Sequence, residues 1–299
     1  MTEPRTCPLI ELIAPLVERD GYTATRLPEV TLMASRRPVP RTPLIYDPSL
    51  IIVAQGYKIG HLGDREIHYG PGQYLVQTLP LPFECETQAS LEAPLLGVSI
   101  RLDPALLGEL VAAMGEAGQG DMPEAAPVPM DSVSMTDGMQ GAVERLLRTL
   151  HDPAEATAMG SQRVRDVVFE ALRGRQGGAL RALVHHHGHY SRIVQVLSWL
   201  HAHFAEEVSV EELARQASMS PSTFHQHFKQ VTQASPLQYL KRLRLIKAQQ
   251  LLIQEAGNVN QAAEAVGYRS VSQFSRDYKR CFGISPLKHR QEERALQAS

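Results

Sequence analysis

The chain has 299 residues, 43% of them hydrophobic and 21% charged, proportions of a globular protein that exclude a wholly disordered or fibrous chain and, at about 100–200 residues per domain, imply two domains. No apolar run reaches the roughly 18 residues of a membrane-spanning helix, and the opening MTEPRTCPLIELIAPLVERD carries acids and a proline where a secretory leader would be basic and then apolar, so a cytoplasmic protein without a membrane partner is expected. The net charge of −2 is unevenly divided: from Tyr190 onward 14 Lys and Arg face 9 Asp and Glu, and before it 16 face 23, so a basic part near +5 follows an acidic part near −7, which points to a polyanionic partner for the C-terminal part alone.

In chain order, Thr31 to Arg101 reads as short strands separated by turn residues. Leu50 to Gln55, Arg65 to Tyr69, Gln73 to Val76 and Leu95 to Ile100 alternate or run apolar, and Gly56, Gly60, Gly63, Gly70-Pro71-Gly72 and Pro80-Leu81-Pro82 punctuate them. That pattern predicts a small β-barrel. About half of Ile51, Val53, Ile67, Tyr69, Tyr74, Val76, Leu96, Val98 and Ile100 are expected to point inward, as core for the most part, and no effector contacts can be named from them. Asp103-Pro104 signals a helix running through Met114. Gly115 to Pro129 is rich in glycine and proline and reads as a loop. Helical periodicity then covers Ser132 to Thr149 and Ala154 to Leu172, predicting an antiparallel pair that closes the barrel or meets a second subunit. The first domain is thus placed at 1–180, a linker at 181–189 and the second domain at 190–299.

The C-terminal part contains an internal repeat. Ser220, Ser222, Phe224, Phe228, Lys229, Ser235, Pro236 and Leu237 recur fifty residues later as Ser270, Ser272, Phe274, Tyr278, Lys279, Ser285, Pro286 and Leu287. Upstream the match continues with a one-residue shift, Leu213-Ala214 and Ala217 against Ala262-Ala263 and Val266. Two copies of one small helical unit follow. Ser209 with Glu212 is a capping box, Ser218-Met219-Ser220 a turn, and Pro221 a first helical residue. In the second copy Asn258 or Asn260 caps, Gly267 permits the turn and Ser270 caps the next helix. Each copy is a helix-turn-helix unit. Pro236 to Glu255 between them reads as an amphipathic helix, apolar at Leu240, Leu243, Ile246 or Leu245, and Leu251-Leu252. Its length of roughly 30 Å is close to the ~34 Å of one DNA turn.

With about 100° per residue, Phe224 and Phe228 share one face of the second helix of the first unit, and Ser222, His225, Gln226 and Lys229 the other. Phe274 and Tyr278 are set in the same way against Ser272, Ser275, Arg276 and Lys279. Arg suits guanine, Gln adenine and Ser several base edges, whereas Lys229, Lys279 and the backbone N–H groups at Ser220 and Ser270 suit phosphate.

The string with Leu213-Ala214, Met219-Ser220, Phe224, Phe228-Lys229, Ser235-Pro236, Tyr239-Leu240, Arg242-Leu243-Arg244-Leu245 and Ala248 resembles the DNA-binding domain of AraC/XylS-type regulators. Ala262-Ala263-Glu264-Ala265-Val266-Gly267-Tyr268-Arg269-Ser270, Gln273-Phe274-Ser275-Arg276, Lys279-Arg280, Phe282-Gly283 and Ser285-Pro286 look like that family's signature. Leu27 to Val30, Pro43 to Lys58, Tyr69 to Leu75 and Leu79 to Pro82 resemble the cupin-like N-terminal sensor domain of one AraC-type subgroup. The resemblance implies an α+β chain, a cupin-like β-barrel with appended helices followed by an all-α domain with two helix-turn-helix units joined by a long helix. It implies base contacts by Ser222, His225 and Gln226 in the first unit and Ser272, Gln273 and Arg276 in the second. It also implies double-stranded promoter DNA, a small organic effector, RNA polymerase and a second copy of the chain as partners, with activation of transcription as the usual outcome. Ala234 stands where the family usually has glycine.

Other chemistry is weakly represented. Cys7, Cys85 and Cys281 lack C-x-x-C spacing and read as small buried hydrophobes. His61 and His68 are seven apart with Glu66 between them, unlike a metal-binding cupin. His185-His186-His187 and His189 fall in the linker region, and the pairs His201/His203 and His225/His227 diverge by about 200° on their helices. No metal, cofactor or catalytic triad is expected, and Gly174 to Gly178 lacks the lysine of a phosphate loop. The readings from other classes are a cupin-type enzyme with a DNA-binding appendage and a nonspecific architectural DNA binder.

Overall fold

The computed structural model describes residues 8–115, 127–184, 188–254 and 258–297. After a short helix α1 (Pro8–Ile13) and a 3-10 turn, nine strands follow: β1 (Gly21–Ala24), β2 (Val30–Ser35), β3 (Val39–Ile45), β4 (Ser49–Gln55), β5 (Tyr57–Leu62), β6 (Arg65–Tyr69), β7 (Gln73–Gln77), β8 (Pro82–Gln88) and β9 (Leu95–Arg101). With β10 (Met130–Ser134) they form a six-stranded sheet, ordered β1-β2-β9-β4-β7-β10, facing a four-stranded sheet, ordered β3-β8-β5-β6. Every pairing is antiparallel, as a run of short strands with tight turns requires.

The expected barrel is therefore present as two facing sheets, and strand alternation gives the larger one two apolar faces. Ile51 and Val53 meet Ile67, Tyr69, Phe83 and Cys85 of the smaller sheet in the interior. Tyr74, Val76, Leu96, Val98 and Ile100 point the other way, into a second core beneath the helices. Ile51, Val53, Ile67, Tyr69, Tyr74, Val76, Leu96, Val98 and Ile100 are all buried.

Helix α2 (Pro104–Met114) begins as expected, with the Asp103 carboxylate accepting from the Ala105 N–H at 2.9 Å. Of the loop expected at Gly115 to Pro129, residues 116–126 lie outside the described residues. The helix expected from Ser132 begins later. Met130 to Ser134 instead pair with Gln77 to Gln73 as an edge strand, with Met130 turned to the interior and Val133 to the helix-side core. Thr136 then caps α3 (Asp137–Thr149). Residues 150–152 connect α3 to α4 (Pro153–Arg173), so short a link that the two lie antiparallel. Val143, Leu146, Val164 and Val168 press this pair onto the outer face of the six-stranded sheet; it covers a sheet face and does not plug the barrel end. A short α5 (Gly177–Ala182) completes the first part.

The C-terminal helices are α6 (His189–Ala202), α7 (Val210–Gln216), α8 (Pro221–Thr232), α9 (Pro236–Gln254), α10 (Val259–Ala265), α11 (Val271–Phe282) and α12 (Pro286–Gln297). They do not stand apart from the barrel. One continuous core joins Leu79, Leu81 and Phe83 to Ile193, Leu197, Phe224, Phe228 and Tyr239. The Tyr239 hydroxyl donates to the Pro80 carbonyl at 3.0 Å, and the Thr78 and Tyr190 hydroxyls lie 3.1 Å apart. The His185 to His187 run lies outside the described residues, as does Cys7. Cys85 is buried and Cys281 half-buried.

Candidate nucleic-acid interface

Two copies of one backbone design carry the site. Ser209 accepts from the Glu212 N–H at 3.1 Å to open α7. Asn258, the one of the two candidate asparagines that caps, forms a full capping box with Gln261 to open α10. After each first helix the chain turns through a positive φ, Ser218 at +51° and Gly267 at +79°. The Met219 N–H then bonds to Ala214 and the Tyr268 N–H to Ala263, both at 2.9 Å. Ser218 and Gly267 are still forty-nine apart and Ser220 and Ser270 fifty apart, so the one-residue shift in the repeat falls inside this turn.

The second helices, α8 and α11, are oriented by their aromatic pairs. Phe224 and Phe228 are fully buried with ring centroids 5.4 Å apart, and Phe274 and Tyr278 repeat the arrangement at 5.5 Å. Opposite them Ser222, His225, Gln226 and Lys229 are exposed on α8, and Ser272, Gln273, Arg276 and Lys279 on α11. Ser275, grouped with that polar face by helical angle, is half-buried. The Ser220 and Ser270 hydroxyls accept from the Thr223 and Gln273 N–H groups at 3.2 and 3.3 Å. Those side chains are thereby committed to capping, and an anion at either helix start meets backbone N–H groups and the positive end of the helix dipole.

The helix ends correct one expectation. The left-handed residue closing α11 is Gly283 at φ +75°, and its counterpart closing α8 is Gln233 at +58°, not Ala234. Ala234 is buried, its N–H donating to the Thr232 hydroxyl at 3.3 Å. The departure from glycine thus sits one residue earlier, where a side chain in left-handed backbone is strained.

Helix α9 also differs from expectation. It is apolar on two sides, not one: Tyr239, Leu240 and Leu243 join the first unit's core, and Leu245, Ala248 and Leu252 the second's. A spine between two units needs both faces, so Leu245 and Ile246 are both buried. Its 19 residues span about 28 Å. Arg244 fixes it to the turns on either side by donating to Phe204 O at 2.6 Å, Glu206 O at 2.7 Å and Gly267 O at 3.4 Å.

Asp277 was not singled out by the sequence. It is 3% exposed in a helix with no other acid, and its carboxylate takes Lys241 of α9 at 2.7 Å, Arg280 at 3.1 Å and the Gln273 amide at 3.0 Å. Burial works to raise its pKa, but the Lys241, Gln273 and Arg280 contacts prevail and hold the carboxyl below its ordinary value. Gln273 in turn accepts from the Arg276 guanidinium at 2.9 Å. Fifty residues earlier the same position is His227, stacked on His189 at 4.3 Å. The other helical histidines part as their spacing predicts: His201 bonds Tyr239 at 2.7 Å, while His203 stacks on Trp199 at 4.4 Å. In the barrel, His61 lies between Glu66 at 3.5 Å and Glu86 at 3.2 Å.

Comparison with known proteins follows this division. Residues 26–179 match the family described as AraC-type transcriptional regulator N-terminus, and residues 213–292 match a helix-turn-helix domain family. Over 106 residues, 36% of this chain, the sequence is 42% identical to the HTH-type transcriptional activator RhaS of Citrobacter koseri and 41% identical to that of Salmonella schwarzengrund. The match spans 38% of the length of either relative. In fold the chain is similar to ToxT from Vibrio cholerae, with a TM-score of 0.58 and 10% identity over 87% of this chain and 96% of that one. A wild-type ToxT structure with bound unsaturated fatty acid gives a TM-score of 0.56 and 8% identity over 91% and 97%.

Proposed function

The chain belongs to the AraC-type transcriptional regulators, and on that premise we propose that it reads promoter DNA with two nonidentical units and changes transcription when a small organic molecule enters its first domain. The observation that carries this reading is the pair of exposed polar faces on α8 and α11, set by like serine caps and buried aromatic pairs in two units packed on different faces of a 28 Å spine. Ser222, His225 and Gln226 meet base edges in one major groove and Ser272, Gln273 and Arg276 in the next. Lys229 and Lys279, with the backbone at Ser220 and Ser270, meet phosphates. Because the Gln273 amide is already bonded to Asp277, Arg276 carries most of the second unit's selectivity, and its half-site is the more stringent.

The division into an effector and dimerisation domain at 1–180, a linker at 181–189 and a DNA-binding domain at 190–299 belongs to the same proposal. So do a homodimer formed through the first domain, contact with RNA polymerase, and a place in the cytoplasm on the nucleoid. Genome-wide footprinting with the purified protein tests the reading: discrete promoter sites support it. Equal affinity for random and selected DNA would mark an architectural binder, and turnover of a substrate by the first domain would mark an enzyme.

A further inference from the structure

We infer that Asp277 is a positioning residue for DNA reading: it fixes the Gln273 amide, and through it the Arg276 guanidinium, so that the second unit selects guanine at one base pair. The inference rests on the base contacts proposed above for Ser272, Gln273 and Arg276, and it adds a determinant that lies behind them in the core.

Gln273, Arg276 and Asp277 stand at i, i+3 and i+4 of α11, so their side chains are neighbours on the helix surface. The two oxygens of Asp277 have different partners. Oδ1 takes Lys241 of α9 at 2.7 Å and Arg280 at 3.1 Å, whereas Oδ2 accepts from Gln273 Nε2 at 3.0 Å and from the Tyr268 hydroxyl at 3.4 Å. Gln273 Oε1 then accepts from the Arg276 guanidinium at 2.9 Å. An amide between a carboxylate, which only accepts, and a guanidinium, which only donates, has one orientation open to it: nitrogen toward Asp277 and oxygen toward Arg276. Asp277 is buried while Gln273 and Arg276 are exposed, so a core acid sets the arrangement of two surface groups.

This orientation decides what each side chain offers a base. Glutamine reads adenine by presenting its oxygen and its nitrogen together. With Nε2 turned inward, Gln273 keeps only the second lone pair of Oε1. Arg276 uses one of its five N–H groups on that oxygen and retains the fork that matches guanine O6 and N7. A free arginine has much rotamer freedom to lose on binding, and one already held loses less. The first unit is built otherwise. Fifty residues earlier the three positions are Thr223, Gln226 and His227. Thr223 turns back to Ser220, their hydroxyls 2.8 Å apart, and His227 stacks on His189. No acid occurs in α8, so this relay has no counterpart there.

Replacing the carboxylate by an amide should invert the relay. In Asp277→Asn the one remaining oxygen goes to Lys241 and Arg280, and the new amide nitrogen faces Gln273 Nε2. Gln273 then turns its oxygen inward, and its nitrogen confronts Arg276, donor against donor.

The test is a competition gel shift with the full chain on a selected operator, each base pair of the second half-site being changed in turn to the other three. The base pair that Arg276 reads is the one whose preference Arg276→Ala removes. There the wild type should prefer guanine, and Asp277→Asn should cut that preference roughly fivefold while leaving the first half-site unchanged. Lys241→Met breaks the same tie to α9; it should lower the Tm but keep the preference, which separates positioning from stability. In a Gln273→Leu background Asp277→Asn should have no further effect on base preference. Should Asp277→Asn not fold, Gln273→Leu alone carries the comparison and should give the same fall. A guanine preference that survives Asp277→Asn or Gln273→Leu, or one lost equally in Lys241→Met, would overturn the inference and leave promoter reading intact. A wild type indifferent to every base of the second half-site would overturn both.

Discussion

Arg276 and Asp277 are neighbours in sequence with opposite places in the second unit, and single substitutions separate their roles. The Arg276 guanidinium is exposed and, among the described residues, donates to Gln273. Arg276→Ala should weaken specific operator binding by about 1–3 kcal/mol and leave the urea midpoint unchanged; a gel-shift titration beside a denaturation curve checks both halves. Asp277→Asn should do the reverse in the main. Its carboxylate ties α11 to α9 through Lys241, and losing the charge should cost about 1–3 kcal/mol of stability, at the low end of a buried pair because Lys241 and Arg280 keep contact with solvent. Phe274→Ala, which empties the core beneath both residues, should cost about 3–5 kcal/mol. The exposed face was legible from helical spacing because aromatic residues four apart fix the buried side. Asp277 was not, since a lone acid among bases reads as a surface residue until the partner from α9 is seen.

Elements were legible where a local signal determined them. Caps at Ser209, Ser220, Asn258 and Ser270 gave the helix starts, because a side-chain acceptor for free N–H groups is written in the sequence itself. Strand β10 was missed because its five residues owe their conformation to pairing with β7, a contact made over fifty residues of chain. The two-sided α9 was misread for a similar reason: its second apolar face exists for a unit that follows it. The tight turns sharpen the same point. At Gly267 the backbone is left-handed, and an added Cβ would lie 2.1 Å from the Ala205 carbonyl oxygen. Gly267→Ala should therefore destabilise the second unit by more than the roughly 1–2 kcal/mol that left-handed backbone costs alone, seen as a lowered Tm with loss of half-site protection. Ser218, its counterpart, already bears a Cβ at φ +51°, and Ser218→Gly should be neutral or stabilising by up to about 1 kcal/mol.

At the scale of the whole molecule the first reading unit is docked on the barrel while both reading faces stay open. Tyr239 is the junction, hydrogen-bonded to Pro80 on one side and to His201 on the other, and a cavity of about 380 Å³ beside Arg65, Tyr190, His227 and Gln233 lies along the same seam. Burial, aided by the nearby Lys247 charge, lowers the His201 pKa to about 4. An unfolded histidine takes up a proton near pH 6.5, so the unfolded chain binds more protons between these values, and stability falls as pH drops from about 6.5 to 4 by up to about 3 kcal/mol. Urea midpoints at pH 7 and pH 4.5 should show that loss, and His201→Phe should flatten it. The central claim is that two nonidentical units joined by α9 read successive major grooves from one face of the duplex. Hydroxyl-radical footprinting on a selected operator tests it most directly. The account predicts two protected segments about 10 base pairs apart on the same face, with Arg276→Ala weakening protection of one and Gln226→Ala of the other. A single protected segment, or one footprint weakened equally throughout by either substitution, would contradict it.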